Sequence, residues 1–173
     1  MNFKIRERHF LKSKLIRKLR QIVKNEFLTD PNKIIPKNSQ VEQIKFDEIT
    51  LFTVNGDLLL INFENKLLPS INAILKNKLK LPKVTIDKGA ISHITNGADV
   101  MIPGITKVDP DIKKNSYVIV VEETHEKPLA IGKAIINAEE IKNRDKGVAV
   151  HNIHYVGDKI WNFIRTIHSK TVY

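Results

Sequence analysis

The sequence predicts an α+β protein in two parts, a small N-terminal α+β domain over residues 1–80 and a compact β barrel with short helices over residues 81–173. Three observations predict it. One long amphipathic helical pattern lies near the start, short β-branched runs punctuated by Gly and Pro fill the second half, and the texture changes at Leu79–Lys83. There a lysine-rich segment ending Lys78-Leu79-Lys80-Leu81-Pro82 gives way to strand-like sequence, and Pro82 disfavours helix at Leu81. At 173 residues and 42% hydrophobic content, the chain has enough apolar material for a buried core.

From about Phe10 to Phe27, Leu11, Leu15, Leu19, Ile22, Val23 and Phe27 recur at spacings of three and four, the signature of one buried helix face. The start is open between His9 and Ser13, and Asp30-Pro31-Asn32 ends the element. Strands are predicted at Gln43–Phe46, Ile49–Val54 and Asp57–Phe63. The last two are joined by Asn55-Gly56, because a tight I′ turn needs positive φ at both central residues. Pro69-Ser70 introduces a second helix carrying Ile71, Ala73, Ile74 and Leu75. In the second half Lys83–Ile86 alternates as a strand, Asp87 is placed to cap a short helix over Lys88–Thr95, and Asn96-Gly97 stops it. Strands follow at Asp99–Ile102, Tyr117–Glu123, Leu129–Ile136 and Gly147–Tyr155. Asn137 with Glu140 makes a capping box for a helix to Asn143. After Gly157-Asp158 comes Ile160–Ile164, with Trp161 expected in the core.

The net charge of +10 and pI near 9.7 make a polyanion the first partner to consider. The charge is lopsided: residues 1–80 carry 16 basic and 8 acidic side chains, residues 81–173 carry 13 and 11. The absence of cysteine excludes a disulfide framework, a zinc ribbon and a thiol nucleophile. No apolar run is long enough to span a bilayer, and lysines and arginines break every apolar window at the N-terminus, so neither a membrane span nor a secretory signal is expected. The abundance of Lys, Ile and Asn suits an A/T-rich genome or a heat-adapted proteome equally.

Enzyme readings fail on spacing. His151 and His154 are separated by an odd number on a strand and face opposite ways, which disfavours one shared metal. Asp109-Pro-Asp111 opens like a calcium loop, but Lys114 and Val120 occupy the positions that need Gly and Glu. Glu122 and Glu123 point to opposite strand faces, and no GxSxG, P-loop or GxGxxG is present. No catalyst and no cofactor are expected.

Four segments carry a resemblance: Val84-Thr-Ile-Asp-Lys-Gly-Ala-Ile91, Asn96-Gly-Ala-Asp-Val-Met-Ile-Pro-Gly-Ile105, Ala130-Ile-Gly-Lys-Ala134 and Gly147-Val-Ala-Val-His-Asn-Ile-His-Tyr155. In order and spacing they resemble the PUA domain, the RNA-binding module named after pseudouridine synthases and archaeosine transglycosylases. The first half adds Leu51-Phe-Thr-Val-Asn-Gly-Asp-Leu-Leu59, similar to the domain preceding PUA in the malignant T-cell-amplified sequence proteins and their archaeal relatives. The resemblance implies a pre-PUA domain followed by a PUA pseudo-barrel, acting in translation with tRNA, the small ribosomal subunit and a separate protein partner, in the cytoplasm. The 80 residues before the barrel are too few for a synthase or transglycosylase. Because the chain stops at Tyr173, any further module is expected on a separate partner.

Carried onto this sequence, the RNA-holding positions are Lys88, Gly89, Ala90, Asn96, Gly97, Ala98, Met101, Pro103, Gly104, Ile153, His154 and Tyr155. Gly89 and Ala90 in a first helical turn are expected to leave backbone N–H groups open to a phosphate or base edge, with Lys88 adding charge. Read without the family, Asp87 and Asn96-Gly97 are a helix start and stop and nothing more. The cationic face of the first helix, Lys12, Lys14, Arg17, Lys18, Arg20 and Lys24, has three readings: ribosomal or other RNA, a solvated face, and anionic lipid. Lipid is disfavoured because the apolar face lacks Trp. Alternatives to RNA binding in translation are a protein-interaction adaptor and an accessory that delivers tRNA to a separate modifying enzyme.

Overall fold

The computed structural model describes residues 4–46 and 49–163, which fall into two units, one ending at Leu79 and the other spanning Lys80–Phe163. The first unit is built on a five-stranded antiparallel meander in chain order: β1 (Glu7–Phe10), β2 (Val41–Lys45), β3 (Ile49–Val54), β4 (Asp57–Phe63) and β5 (Lys66–Pro69). Local turn chemistry sets its register. Asn55 and Gly56 both hold positive φ, 51° and 87°, and pair Val54 with Asp57. Glu64 and Asn65 repeat the device with φ of 49° and 60°, closing a β4–β5 hairpin that the sequence reading did not contain. Strand β2 begins at Val41 and ends at Lys45, slightly ahead of the expected span.

Helix α1 (Ser13–Phe27) follows β1, so the chain from Glu7 to Phe10 is an edge strand rather than a helical lead-in. Lys12 is the N-cap and makes no side-chain cap bond, so of the two expected starts the helix begins at Ser13. Leu19 and Val23 are buried, with Leu11, Ile16 and Phe27 packed partly against the same core as Ile34 and Leu60. Leu15 and Ile22, expected on this face, are 47% and 38% exposed. They lie about 60–80° round the helix from the Leu19–Val23 line on one side, whereas Ile16 lies about 40° from it on the other. Helix α2 (Ile71–Leu75) starts where expected: Ser70 accepts from Ala73 N at 3.1 Å, while its hydroxyl donates to Leu58 O at 2.8 Å.

The second unit carries β6 (Lys83–Ile86), a 3-10 turn (Lys88–Ala90), α3 (Ile91–Ile94), β7 (Val100–Met101), a 3-10 turn (Ile102–Gly104), β8 (Ile105–Val108), β9 (Tyr117–Glu122), β10 (Pro128–Ala134), α4 (Ala138–Asn143) and β11 (Val148–Tyr155). The sheet runs β7-β11-β10-β9-β6-β8. Because the Ile102–Gly104 turn links the two edge strands, the sheet curls into a nearly closed barrel. The expected strand at Asp99–Ile102 is thus two residues long, and β8 was not foreseen. Pro103 breaks the ladder, and the chain resumes pairing with β6 two residues later. Pairing of β6 with β9 is parallel, Lys83 opposite Ile119. The interior is filled by aliphatic residues such as Val84, Ile86, Val100, Val118 and Val150.

The capping box of α4 forms as the sequence predicts. Asn137 accepts from Glu140 N at 2.9 Å, and the Glu140 carboxylate accepts from Asn137 N at 3.2 Å. Trp161 is only half-buried: residues 159–163 are helical, and Ile160, not its neighbour, turns inward at 4% exposure. Ile164 and the rest of the expected second domain to residue 173 lie outside the described residues. No helix among the described residues is long and apolar enough to cross a membrane.

Candidate nucleic-acid interface

Asp87 ends β6 and organises the turn that follows, its Oδ1 accepting from Ala90 N at 2.8 Å. Gly89 permits this fold-back, since a Cβ there would stand 3.2 Å from the same oxygen. Glu123 Oε1, reaching over from the end of β9, accepts from Lys88 N at 3.3 Å. The expectation of open backbone donors at Gly89 and Ala90 therefore fails at Ala90, whose N–H is engaged by Asp87, and the Lys88 N–H is likewise engaged by a carboxylate of the chain itself. What the turn offers outward is the exposed Lys88 side chain and the bare backbone of Gly89.

The Ile102–Gly104 turn lies directly beside this one. Gly104 O accepts from Asp87 N at 3.0 Å, and a Cβ on Gly104 would sit 3.1 Å from Ala90 Cβ. Small residues at both places let the turn after β6 meet the turn that links β7 to β8. Lys88, Gly89, Ala90, Pro103 and Gly104 are thereby brought together, with Met101, 48% exposed, at the start of the second turn.

A second cluster forms where β11 meets the turn after α3. Gly97 has φ of +90°, and a Cβ there would fall 2.8 Å from Tyr155 Oη, so the Tyr155 ring rests on the glycine. Asn152 Nδ2 donates to Ile94 O and Ala98 O, both at 3.0 Å, which fixes the Asn96–Ala98 loop onto the strand. Asp99 clamps the same strand: its Oδ1 accepts from Asn152 N at 2.9 Å, and its Oδ2 lies 3.0 Å from His151 Nδ1. The β10–β11 register shifts at Ile131/Gly132, and Ile153 is the residue left without a partner. Such bulges re-aim side chains; Ile153 is half-buried.

His154 does not belong with these. It is fully buried, with Nδ1 2.7 Å from Asp158 Oδ2, and presents no ring surface to an outside ligand. His151 is 56% exposed; it pairs with Lys133 and His154 with Ile131, so across the bulge the two histidines share a face of the strand, contrary to the expectation from their odd spacing. The sequence reading weighed His151 only as a metal ligand. Its contact with Asp99, next to the Asn96–Ala98 loop, places it beside the candidate surface, and no local sequence pattern signals that contact.

The loop beside Lys88 is rigidified by Glu122, whose carboxylate accepts from Thr124 N, His125 N and Lys127 N at 2.7, 2.8 and 3.1 Å. The bond from Lys127 N, with the other two, holds this carboxyl below the usual carboxylate range.

In the first unit Lys12, Lys14, Arg17, Lys18 and Lys24 are exposed, and none has an ion-pair or hydrogen-bond partner among the described residues. Arg20 is the exception in the predicted set. Its guanidinium donates to Ile35 O and, at 2.8 Å, to Asn32 Oδ1, tying α1 to the following segment.

The chain matches the model of the PUA domain over residues 82–156 and that of the pre-PUA-like domain over residues 1–77. It is 40% identical over 159 residues to an uncharacterized protein of Methanocaldococcus jannaschii, covering 92% of this chain and 98% of that one. Translation machinery-associated protein 20 of Saccharomyces cerevisiae is 38% identical over 160 residues, covering 88% and 86% of the two chains. Malignant T-cell-amplified sequence 1 of Rattus norvegicus is 32% identical over 136 residues, covering 76% and 75%. Among solved structures, a hypothetical protein of Pyrococcus horikoshii OT3 superposes with a TM-score of 0.78 at 33% identity, over 91% of this chain and 99% of the other.

Proposed function

We infer the function from the family to which the chain belongs, the two-module pre-PUA and PUA proteins that include translation machinery-associated protein 20 and malignant T-cell-amplified sequence 1. The protein binds RNA in a role tied to translation, as a binding factor and not as a catalyst, in the cytoplasm. The barrel surface formed by Lys88–Ala90, Asn96–Ala98, Met101, Pro103–Gly104, Ile153 and Tyr155 holds an RNA end or loop, with the tRNA acceptor end as the working ligand. The basic face of α1 docks the first unit on RNA of the small ribosomal subunit, alongside a separate translation-factor protein.

One observation carries the barrel assignment. Two turns distant in sequence meet at Ala90 and Gly104, and Tyr155 rests on Gly97, so the surface exposes small residues and backbone beside one lysine and one aromatic ring. Single-stranded RNA is gripped by such a combination of stacking, close backbone approach and charge.

The test is binding of the full chain to labelled tRNA, with and without its 3′-terminal nucleotides, across a salt series. Trimming the end is expected to weaken binding of the wild type, and Lys88→Glu to abolish most of that end preference while lowering the salt slope by about one. An unaltered affinity of Lys88→Glu for both RNAs would overturn the barrel assignment. A protein-interaction adaptor is the second reading, favoured by the exposure of Phe10, Leu15 and Ile22 in the first unit. It predicts weak, salt-insensitive RNA binding beside tight capture of a protein partner.

A further inference from the structure

Helix α1 carries more than a diffuse positive face. One flank of it, at Ser13, Arg17 and Arg20, faces the loop Lys37–Ser39 across a cleft of ≈ 520 Å³. Three cations line this cleft, Arg17, Arg20 and Lys37, and no carboxylate does. A recess walled by one sign of charge focuses potential more strongly than the same charges on a convex surface.

The three cations are not equivalent. Arg20 is held by Ile35 O and Asn32 Oδ1, so its guanidinium is fixed in place before any ligand arrives and keeps further N–H donors to offer. Arg17 and Lys37 are exposed and have no acidic partner among the described residues. The Ser13 hydroxyl and the Asn38 side chain add neutral hydrogen-bonding groups to the same walls. One anchored guanidinium with two mobile cations around it suits a tetrahedral oxyanion, whose several oxygens accept from different directions.

We propose that this cleft is a phosphate-binding site, occupied in the RNA complex by one backbone phosphate and fixing the register of the first unit on the nucleic acid. The assignment of RNA as the source rests on the function proposed above; the phosphate chemistry does not. Lys14 and Lys18, on the far side of the helix, supply only the surrounding field.

The experiment compares two double variants of the full chain that remove equal charge: Arg17→Ala with Lys37→Ala in the cleft, and Lys14→Ala with Lys18→Ala on the solvent side. Inorganic phosphate is titrated first, followed by amide NMR. Saturable shifts confined to Ser13, Arg17 and Lys37–Ser39 are expected in the wild type and in the solvent-side variant, and none in the cleft variant. Labelled tRNA is then titrated across a salt series. The cleft variant is expected to lose roughly tenfold or more in affinity, several times the loss of the solvent-side variant.

Absence of localised phosphate shifts in the wild type, together with equal RNA losses in the two variants, overturns the site and leaves a uniform field. Localised shifts with equal RNA losses retain the site and assign it to a free phosphate compound, overturning RNA as the source. If the wild type binds no RNA at all, the proposed function falls while the phosphate titration still decides the site.

Discussion

The two units present different kinds of candidate surface. On the first, the candidate contacts are the ends of long lysine and arginine side chains on a regular helix, which can meet a phosphate in many geometries. On the barrel they are mostly glycines, alanines, a proline and one tyrosine around Lys88, Asn96, Met101 and Ile153, and Gly89, Gly97 and Gly104 sit where an added Cβ would come within about 3 Å of a neighbouring side chain. Charge of the first kind reads that a polyanion is present; fit of the second kind reads what part of it is there. The comparison also predicts where mutations hurt. Surface cations are dispensable to folding, whereas the barrel's binding surface is made by the same close contacts that close the barrel.

The largest effect should come from Gly132→Ala. A Cβ at this position in β10 would stand 2.4 Å from Val150 Cγ1 and 2.5 Å from His151 O. Valine could rotate away, but the carbonyl is backbone in the neighbouring strand, so the bulge itself must shift. A loss of about 3 kcal/mol is expected in denaturant unfolding, at the upper end of ordinary overpacking. A loss below ~0.5 kcal/mol would mean that the β10–β11 bulge is far more plastic than the barrel picture allows.

Gly97→Ala comes next, at about 1–2 kcal/mol, because an L-residue must adopt φ of +90° and also displace the Tyr155 ring. Its diagnostic value lies in RNA binding. The preference for an intact tRNA 3′ end should fall while the slope of log affinity against log salt stays unchanged, since no charge has been removed. A change in slope with retained end preference would show that the division between charge and fit has been drawn on the wrong residues.

Arg20→Met should cost about 1 kcal/mol of stability, the usual worth of a hydrogen-bonded anchor, despite leaving the apolar stem in place. Lys14→Ala and Lys18→Ala are expected to stay within ±0.5 kcal/mol of the wild type. Thermal unfolding of the three variants side by side separates the strut from the solvated cations. Equal stabilities would show that the Ile35 and Asn32 bonds do not anchor Arg20, leaving it a cation of the cleft like Arg17.

The Arg20 strut shows what a sequence can reveal of such a fold. Features governed by neighbouring residues were legible: the Asn55-Gly56 hairpin, the Asp87 and Ser70 caps and the Asn137–Glu140 box all follow from chemistry within four positions. The PUA-like run was legible because small residues recur in a fixed order. Strands β1, β5 and β8 were not, because four-residue edge strands carry too little periodicity and exist only through partners elsewhere; Phe10 pairs with Glu42. The same holds in the site. Asp99 reaches His151 across 52 positions, and Arg20 finds Ile35 O across 15. Burial of His154 was hidden too, since a strand's inward face is decided by the sheet that receives it.

The smallest effect concerns acid. The Glu122 carboxyl sits below its ordinary range because Lys127 N, with Thr124 N and His125 N, donates to the ionised form. The unfolded chain therefore binds this proton at higher pH than the folded one. The carboxylate's contribution is complete above the unfolded value and fades as pH falls through the folded one. Glu122→Gln should lower stability at pH 7 and flatten its decline between roughly pH 5 and pH 3, leaving the two proteins nearly alike at the acid end. Glu126 is also shifted down, by its 2.6 Å bond with Lys83, but both side chains of that pair are about half-exposed. Glu126→Gln should therefore move the curve less. Since Glu122 shapes the loop whose next residue, Glu123, accepts from Lys88 N, its loss should also reduce end-specific tRNA binding without altering the salt slope. If the reduction appeared in the slope instead, the loop would be acting on the barrel through charge, and the contrast between the two units would shrink to one of degree.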